Sequence, residues 1–380
     1  MTQKPKEIQR KAVSALFMAF GFGFSTWASG IPELQQKLNI SDATLGYLLF
    51  AIPLGDLITI PFSGWLTARF GTRNLVMYFV VFYAFILFLL STVSSVLLLL
   101  ILMAILGIAS NLVSLCINTQ SVLVQKLYQK SIIGTFHGTW SFAGFAGAAF
   151  GALISWWEIP VMWHFGIASV VIIFLAVFSN AHLAADEFSK KEKGVFTFPD
   201  SSLILLGAIA LSCMVVEGTM FDWSGIYFKK VVMPPENLLG LGYTSFMGCM
   251  ALGRFVSDKF VDRFGAKNTL ILSSLLITSG LLLAVSFPFI IPVVCGFVIV
   301  GFGVAPVVPI VFGLAGKSDR FHPSIALNIV GSIGFIGFLC GPPMIGTLSG
   351  VLGLRYSFLV IACFGLFISV LGSKMVQKKT

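Results

Sequence analysis

Six windows of this sequence contain no Asp, Glu, Lys or Arg: residues 12–32, 75–125, 131–157, 159–185, 268–316 and 321–354. No other feature limits the fold as strongly. A helix that crosses a bilayer needs roughly 20 consecutive apolar residues, so the longer windows must each hold two spans joined by a turn. A water-soluble domain could not hide such runs, because surface grows too fast with chain size. Composition agrees: of 380 residues 57% are hydrophobic and 38 are Phe, and mean hydropathy is +0.97. Membrane β-barrels are excluded, since their strands alternate over about 10 residues and give no long apolar runs. The expectation is an all-α polytopic membrane protein embedded in a lipid bilayer.

Twelve spans account for the chain, at about 11–30, 43–68, 74–92, 96–125, 131–157, 160–181, 201–228, 238–261, 267–287, 290–315, 323–350 and 355–373. The first follows a basic N-terminus but has no small-residue cleavage site, so it reads as a retained helix rather than a signal peptide. With the N-terminus placed inside, 20 of the 24 Lys and Arg fall on inner segments, leaving Lys37, Lys229, Lys230 and Arg355 outside. By the positive-inside rule this predicts cytoplasmic N- and C-termini, and a bacterial inner membrane is the expected location. The net charge of +9 is thus a topology signal, and no nucleic-acid partner is expected. The longest polar stretch, AHLAADEFSKKEKGVFTFPD at 181–200, mixes both charge signs near the midpoint. It predicts an N-terminal six-helix half over 1–181, a cytoplasmic linker over 182–200 and a C-terminal six-helix half over 201–380.

The halves are repeated. ARFGTRN at 68–74 returns as DRFGAKN at 262–268, with Arg69 and Arg263 separated by 194 residues. The same offset takes Asn74 to Asn268, Gly107 to Gly301 and Gly147 to Gly341, and SGI at 29–31 recurs at 224–226 with an offset of 195. Two six-helix halves in parallel orientation predict a site near the midplane and rocking about it.

At this point the sequence resembles the major facilitator superfamily over essentially its whole length. GWLTARFGTR at 64–73 is similar to the family's inner-loop signature, and GRFVSDKFVDRFGAK at 253–267 to its second copy. The resemblance implies two six-helix halves related by a pseudo-two-fold axis and an inner gate at these turns. Its candidates are Arg69, Arg73, Arg254, Asp258, Asp262 and Arg263. The first copy departs from the pattern, because Ala68 stands where an acid is usual. EGTMFDWSGIY at 217–227 and FHGTWSFAGFAGA at 136–148 resemble the bacterial inner-membrane branch grouped with fucose permeases.

Ionisable groups inside a membrane cost about 2.5–3.5 kcal/mol each on insertion scales, so each calls for a reason. Glu217 and Asp222 in the seventh span and Asp56 in the second are the candidate proton-coupling acids, with His137 in the fifth span beside them. Glu217 falls near mid-bilayer and has no cationic neighbour in its own helix. Its desolvation would favour the neutral form. It and Asp222 point about 140° apart on an ideal helix, so they could share a proton only if the helix unwound near Gly218. His137 otherwise reads as a packed, satisfied histidine.

Asn111, Ser114, Asn118, Ser121 and Gln125 in the fourth span recur at spacings of 3 and 4 and lie on one helical face. Lipid does not tolerate such a face, so it looks into protein or a water-filled cavity. Asn111, Ser114 and Asn118 are candidate solute ligands, with Asn328 in the eleventh span. Trp27, Trp140 and Trp223 could stack on a sugar or aromatic ring, although interfacial anchoring suits Trp27 and Trp223 equally. Trp156, Trp157, Trp163 and His164 read as interfacial belt residues, and the six cysteines as small core residues.

These features point to a secondary transporter of a small polar organic solute, such as a sugar or related metabolite, coupled to protons. A drug/proton antiporter is the alternative. Such relatives usually carry an Arg where Met103 precedes Gly107, and a proline in the motif that here reads GFAGAAFG at 144–151. An enzyme is not expected: no nucleophile–base pair, metal cluster or phosphate loop is visible, and FGFGFS at 20–25 has no preceding strand. No cofactor or metal is anticipated, and the expected state is a monomer.

Overall fold

A computed structural model describes residues 6–128, 132–184, 200–318, 320 and 323–375, and these are helices joined by short connections, with no strand among them. The elements are α1 (Lys6–Leu38), α2 (Asp42–Leu49), α3 (Ala51–Phe70), α4 (Thr72–Ser91), α5 (Val96–Gln125), α6 (Ile133–Trp156) and α7 (Val161–Asn180). They continue with α8 (Ser201–Tyr227), α9 (Leu241–Ser286), α10 (Ile290–Val304), α11 (Val307–Ala315), α12 (Pro323–Leu352) and α13 (Leu354–Ser373). Ten helical stretches among the described residues are long and apolar enough to cross a membrane. α6 and the first arm of α9 complete twelve crossings; the latter is interrupted by Arg254 and Lys259.

Helix numbers differ from crossing numbers for local reasons. The second crossing divides at Phe50, which keeps right-handed helical angles. The interruption reflects Pro53, which has no N–H to return to Leu49. The tenth divides at Ala305 and Pro306, both also helical in angle, because Pro306 and Pro309 each remove a bond. The converse holds in α9, whose 46 residues contain two crossings bent at Gly265 (φ 77°, ψ 160°). α1 runs past its apolar window at both ends and stops at Asn39, whose positive φ of 50° is the left-handed conformation Asn tolerates. Ser95 and Asp200 cap α5 and α8, accepting from the backbone N–H of Leu98 and Leu203 at 3.3 and 2.8 Å.

The chain forms two compact units, Met1–Ile40 with Leu48–Lys193, and Ser41–Tyr47 with Gly194–Thr380. In the first, α1 packs on α6 and α7, α3 on α5, and α4 on α5 and α7; in the second, α8 packs on α12 and α13, and α9 on α10 and α13. The repeat therefore governs packing as well as sequence. Gly71 (φ 76°, ψ 150°) adopts the backbone of Gly265. Arg69 lies over the Phe70 ring at 5.7 Å and Arg263 over Phe264 at 5.4 Å. A Cβ on Gly107 would meet the Ile52 carbonyl oxygen at 2.0 Å, and one on Gly301 the Phe246 oxygen at 2.6 Å. Each equivalent pair is displaced by the same 194 residues. Helix ends repeat too: Lys37 Nζ donates to the Ser91 carbonyl at the end of α4 (2.9 Å), and Arg355 Nε to the Val285 carbonyl at the end of α9 (2.7 Å). Cations suit those carbonyl ends.

Phe85, Phe174, Phe178, Phe255, Phe289 and Phe367 are exposed, which in water would be untenable and in lipid costs nothing. Trp156, Trp157 and Trp163 are exposed as a belt requires, but His164 is buried against Phe150 and Phe165 with its Nε2 unpartnered among the described residues. The belt assignment fails for His164. Of the cysteines only Cys116 and Cys213 are buried; Cys249 is intermediate, and Cys295, Cys340 and Cys363 are exposed rather than core residues.

Candidate functional site

The best-defined polar feature of the second unit lies between α8 and the first arm of α9, which run antiparallel. At one end the Cβ that Gly242 lacks would come within 2.7 Å of the Phe228 Cβ. Two turns in, the Phe221 and Phe246 rings meet edge to face at 5.7 Å. Deeper still, Arg254 Nη2 donates to Glu217 Oε1 at 2.8 Å. At 1.5 Å per residue, Arg254 is about 18 Å along α9 from Gly242 and about 16 Å from the bend at Gly265. The pair therefore sits near the middle of a crossing. Only 6% of the Glu217 side chain and 24% of the Arg254 side chain are exposed. Aromatic rings pack beside the acid: Phe338 lies 3.0 Å from the Cβ position of Gly218 and stacks on Phe221.

This arrangement corrects two expectations. Arg254 belongs to the repeated loop motif in sequence, but three helical turns separate it from the bend, and its partner is a mid-span acid rather than an inner-gate group. Glu217 indeed lacks a cation in its own helix; the next helix supplies one. A charge pair is costly to desolvate and more costly to break, because a buried carboxylate left alone is stranded. A proton placed on Glu217 would remove the attraction.

α8 is continuous through Gly218, so Glu217 and Asp222 do not converge. Asp222 is half-buried and makes no hydrogen bond or ion pair with another described residue. Ser224, two turns beyond Glu217 on the same face, is buried with its hydroxyl unpartnered among the described residues, and Trp223 is fully buried with Nε1 likewise unpartnered among them. Trp27 is buried as well. Neither indole lies at an exposed interface, so the interfacial-anchor reading of Trp27 and Trp223 does not hold. Trp140 is half-buried, 5.7 Å from the Phe24 ring, and its carbonyl oxygen lies 2.3 Å from where Gly21 would carry a Cβ.

In the first unit, the polar stripe of α5 is only partly available to a ligand. Asn118 Nδ2 donates to the Ser114 carbonyl at 2.8 Å and to its Oγ at 3.3 Å, Ser121 donates to the Asn118 carbonyl, and Gln125 accepts from the Ile132 N–H. Asn111 is half-buried and has no hydrogen bond with another described residue. Asp56 on α3 is also half-buried, without a hydrogen bond or ion pair among the described residues. It is adjacent to Gly55, whose missing Cβ admits the Ala104 carbonyl at 2.2 Å. His137 is exposed and sits edge-on to Phe17 at 5.4 Å, not packed in a core.

Gln120 went unnoticed in the sequence because it lies off the stripe. It is buried, donates to Thr72 Oγ1 (2.9 Å) and the Ala184 carbonyl (3.3 Å), and accepts from the Ala184 N–H (3.1 Å). It ties the exit of α7 to the start of α4. An uncharged amide inside a span but off its polar face was the available signal.

At the repeated turns Arg69, Asp262 and Arg263 are exposed and Arg73 is half-buried. Asp262 makes no ion pair with a described residue. The side chains of Asp258 and Asn328 lie outside the described residues, as does most of the expected linker.

The sequence model of the Major Facilitator Superfamily matches residues 13–317 and 205–378. The chain is 27% identical over 359 residues to an uncharacterized MFS-type transporter of Yersinia pestis, covering 94% of both chains. It is 26% identical over 374 residues to the membrane protein MosC of Rhizobium meliloti, covering 97% of this chain and 90% of that one. Among solved structures, a mutant form of the nucleoside transporter NupG matches with a TM-score of 0.78 at 14% identity, covering 97% of this chain and 100% of that one. A D-xylose–proton symporter matches with a TM-score of 0.76 at 14% identity, covering 98% and 99%. Such distant likenesses speak to the fold, a helical transporter fold of two halves. The chain belongs to the Major Facilitator Superfamily of membrane transporters.

Proposed function

We propose that this protein is a secondary active transporter that carries a small polar organic solute, such as a sugar or related metabolite, together with protons by alternating access. The observation that carries this reading is the Glu217–Arg254 pair, buried near the middle of a crossing. A fixed structural ion pair at that depth is an expensive way to hold two helices together. A carboxyl that exchanges its guanidinium for a proton has a use there: its two forms bias two conformations, which coupling requires. Asp222 and Asp56 are secondary proton sites on this reading, and Asn111 is the foremost solute ligand because its amide is uncommitted. The turns bearing Arg69, Arg73, Asp262 and Arg263 serve as the inner gate. A sugar or nucleoside cargo is supported by the names of the two structural neighbours, and the grouping with fucose permeases by residues 136–148 and 217–227. The proposed location is a bacterial inner membrane with both termini in the cytoplasm.

A thermal-shift screen of sugars, nucleosides, amino acids and peptides on purified protein identifies the solute, since a ligand that binds only the folded state stabilises it. The hit is then offered to proteoliposomes with an imposed proton gradient. Accumulation that collapses with a protonophore supports the proposal; uptake that merely equilibrates, whatever the gradient, contradicts proton coupling.

A further inference from the structure

Within the first unit α4 and α7 run antiparallel and are fastened at two points. Near mid-crossing, Ser169 Oγ donates to the Ala84 carbonyl at 2.7 Å. Where α7 ends and α4 begins, Gln120 of α5 binds both Thr72 and Ala184. Between these points the helices leave a cavity of about 430 Å³, lined by Asn74, Met77, Tyr78, Val81 and Asn180. The four α4 residues follow the i, i+3, i+4, i+7 spacing of a single helical face. Two ties hold the helices in place on either side of the space.

The groove is polar at one end and apolar at the other. At 1.5 Å per residue, Asn74 and Asn180 each lie about 15 to 16 Å from the Ala84–Ser169 tie, so the two amides stand at one depth. Asn74 immediately precedes the charge-free window 75–125, and Asn180 closes α7. Both are exposed, and neither side chain bonds another described residue. Met77 and Val81 carry the wall toward mid-crossing. Tyr78 is 73% exposed and shares its face with Phe82 and Phe85, whose rings are exposed where lipid would lie. Tyrosine alone would be an ordinary interfacial residue; two uncommitted amides beside it are not explained by anchoring.

The chemistry of the rim selects among lipids. A carboxamide offers N–H donors and a carbonyl acceptor. A phosphodiester takes the donors, and a headgroup with hydroxyls supplies partners for the acceptors, which choline cannot. Neither α4 nor α7 contains Asp or Glu, while Arg73 stands next to Asn74, so a net negative headgroup is favoured. We propose that this groove binds one anionic phospholipid with a hydroxylated headgroup, of which phosphatidylglycerol is the simplest. Asn74, Asn180 and Tyr78 hold the phosphodiester and headgroup, and an acyl chain lies along Met77 and Val81. With both termini in the cytoplasm, the lipid comes from the inner leaflet. The repeat does not duplicate the site: at an offset of 194, Tyr78 becomes Leu272 and Asn180 becomes Lys374. Lys267, in the place of Arg73, donates to the Ser373 and Met375 carbonyls at 2.8 and 3.3 Å, so a side chain of the protein itself spans that corner.

Native mass spectrometry of the full chain, with phosphatidylglycerol or phosphatidylcholine added to the detergent at equal mole fraction, counts the lipid retained. The parent should hold one phosphatidylglycerol with about tenfold preference over phosphatidylcholine, the worth of one hydrogen bond to a charged group. Asn74→Asp and Asn180→Asp keep the side-chain shape but repel phosphate. Each should lower phosphatidylglycerol affinity about tenfold without changing phosphatidylcholine retention or melting temperature. Val81→Trp fills the groove and should abolish retention of both lipids. A photoreactive phosphatidylglycerol should label the segment containing Tyr78, and excess phosphatidylglycerol, but not inorganic phosphate, should suppress the labelling. Equal affinity of the parent for the two lipids overturns the proposal, as does unchanged phosphatidylglycerol affinity in both Asp variants. Suppression by inorganic phosphate overturns it by making the site one for a free anion. A parent that retains no lipid overturns it too, the groove then being filled by the chain beyond Ala184. Where Val81→Trp does not fold, the two Asp variants decide.

Discussion

Arg254→Gln should destabilise the protein more than Glu217→Gln, and the double substitution should recover much of the loss. The asymmetry follows from the site. Glu217 is almost sealed, at 6% side-chain exposure, whereas Arg254 retains 24%. Removing one partner of a buried pair costs roughly 3–5 kcal/mol; since Glu217 can relieve part of this by binding a proton, a loss of about 2–3 kcal/mol is expected for Arg254→Gln. In Glu217→Gln the amide oxygen can still accept from Arg254 Nη2, and the guanidinium keeps some water, so about 1 kcal/mol is expected. Two glutamines leave no stranded charge, and the double variant should fall within ~1 kcal/mol of the parent, giving a coupling of about 2 kcal/mol. Thermal unfolding in one detergent, read by the exposure of buried Cys213, measures all four proteins. Equal losses for the two single variants that add in the double would refute the argument, because they would mean that neither charge depends on the other.

Gly107→Ala forces a Cβ to within 2.0 Å of the Ile52 oxygen and Gly301→Ala to 2.6 Å of the Phe246 oxygen. Both should lose stability at or above the ~1–3 kcal/mol usual for overpacking, Gly107→Ala more, as judged by folded yield and melting. Gln120→Leu removes both bonds to the Ala184 backbone and the bond to Thr72 Oγ1, and should cost about 1–3 kcal/mol in the same melting assay. Asn111→Leu should weaken apparent solute affinity at least threefold with an unchanged melting temperature; a lowered melting temperature with unchanged affinity would make Asn111 a packing residue.

The twelve crossings were legible because lipid imposes a minimum apolar length and punishes charge, and both constraints are written in single residues. The repeat was legible for a similar reason: the bend glycines 71 and 265, and the close-approach glycines 107 and 301, leave little freedom to substitute. Helix boundaries were less visible. α1 extends beyond its apolar window because polar residues at its ends remain good helix formers in water, and Pro53, Pro306 and Pro309 interrupt hydrogen bonding without ending a crossing.

Within the site, Glu217 was identifiable from depth alone, but its partner was not. Arg254 sits in a sequence motif whose other members flank a bend, and only the pitch of α9 reveals that it is about 16 Å from that bend. The tryptophans show a different limit. Apolar periodicity in a crossing hydrophobic on every side does not say which face meets lipid, protein or cavity, so the burial of Trp27 and Trp223 had no sequence signal. The stripe on α5 was correctly seen as polar, yet spacing could not tell that Asn118 bonds back to Ser114 while Asn111 does not.

The central claim is that Glu217 exchanges Arg254 for a proton during transport, and one substitution tests it most directly. Glu217→Gln fixes the neutral form. Reconstituted with the solute found by the thermal screen, the variant should lose proton-driven accumulation yet exchange labelled for unlabelled solute at a rate near that of the parent, because exchange needs no net proton movement. Continued accumulation against a solute gradient when a proton gradient is imposed would contradict the account and move the coupling role to Asp222 or Asp56.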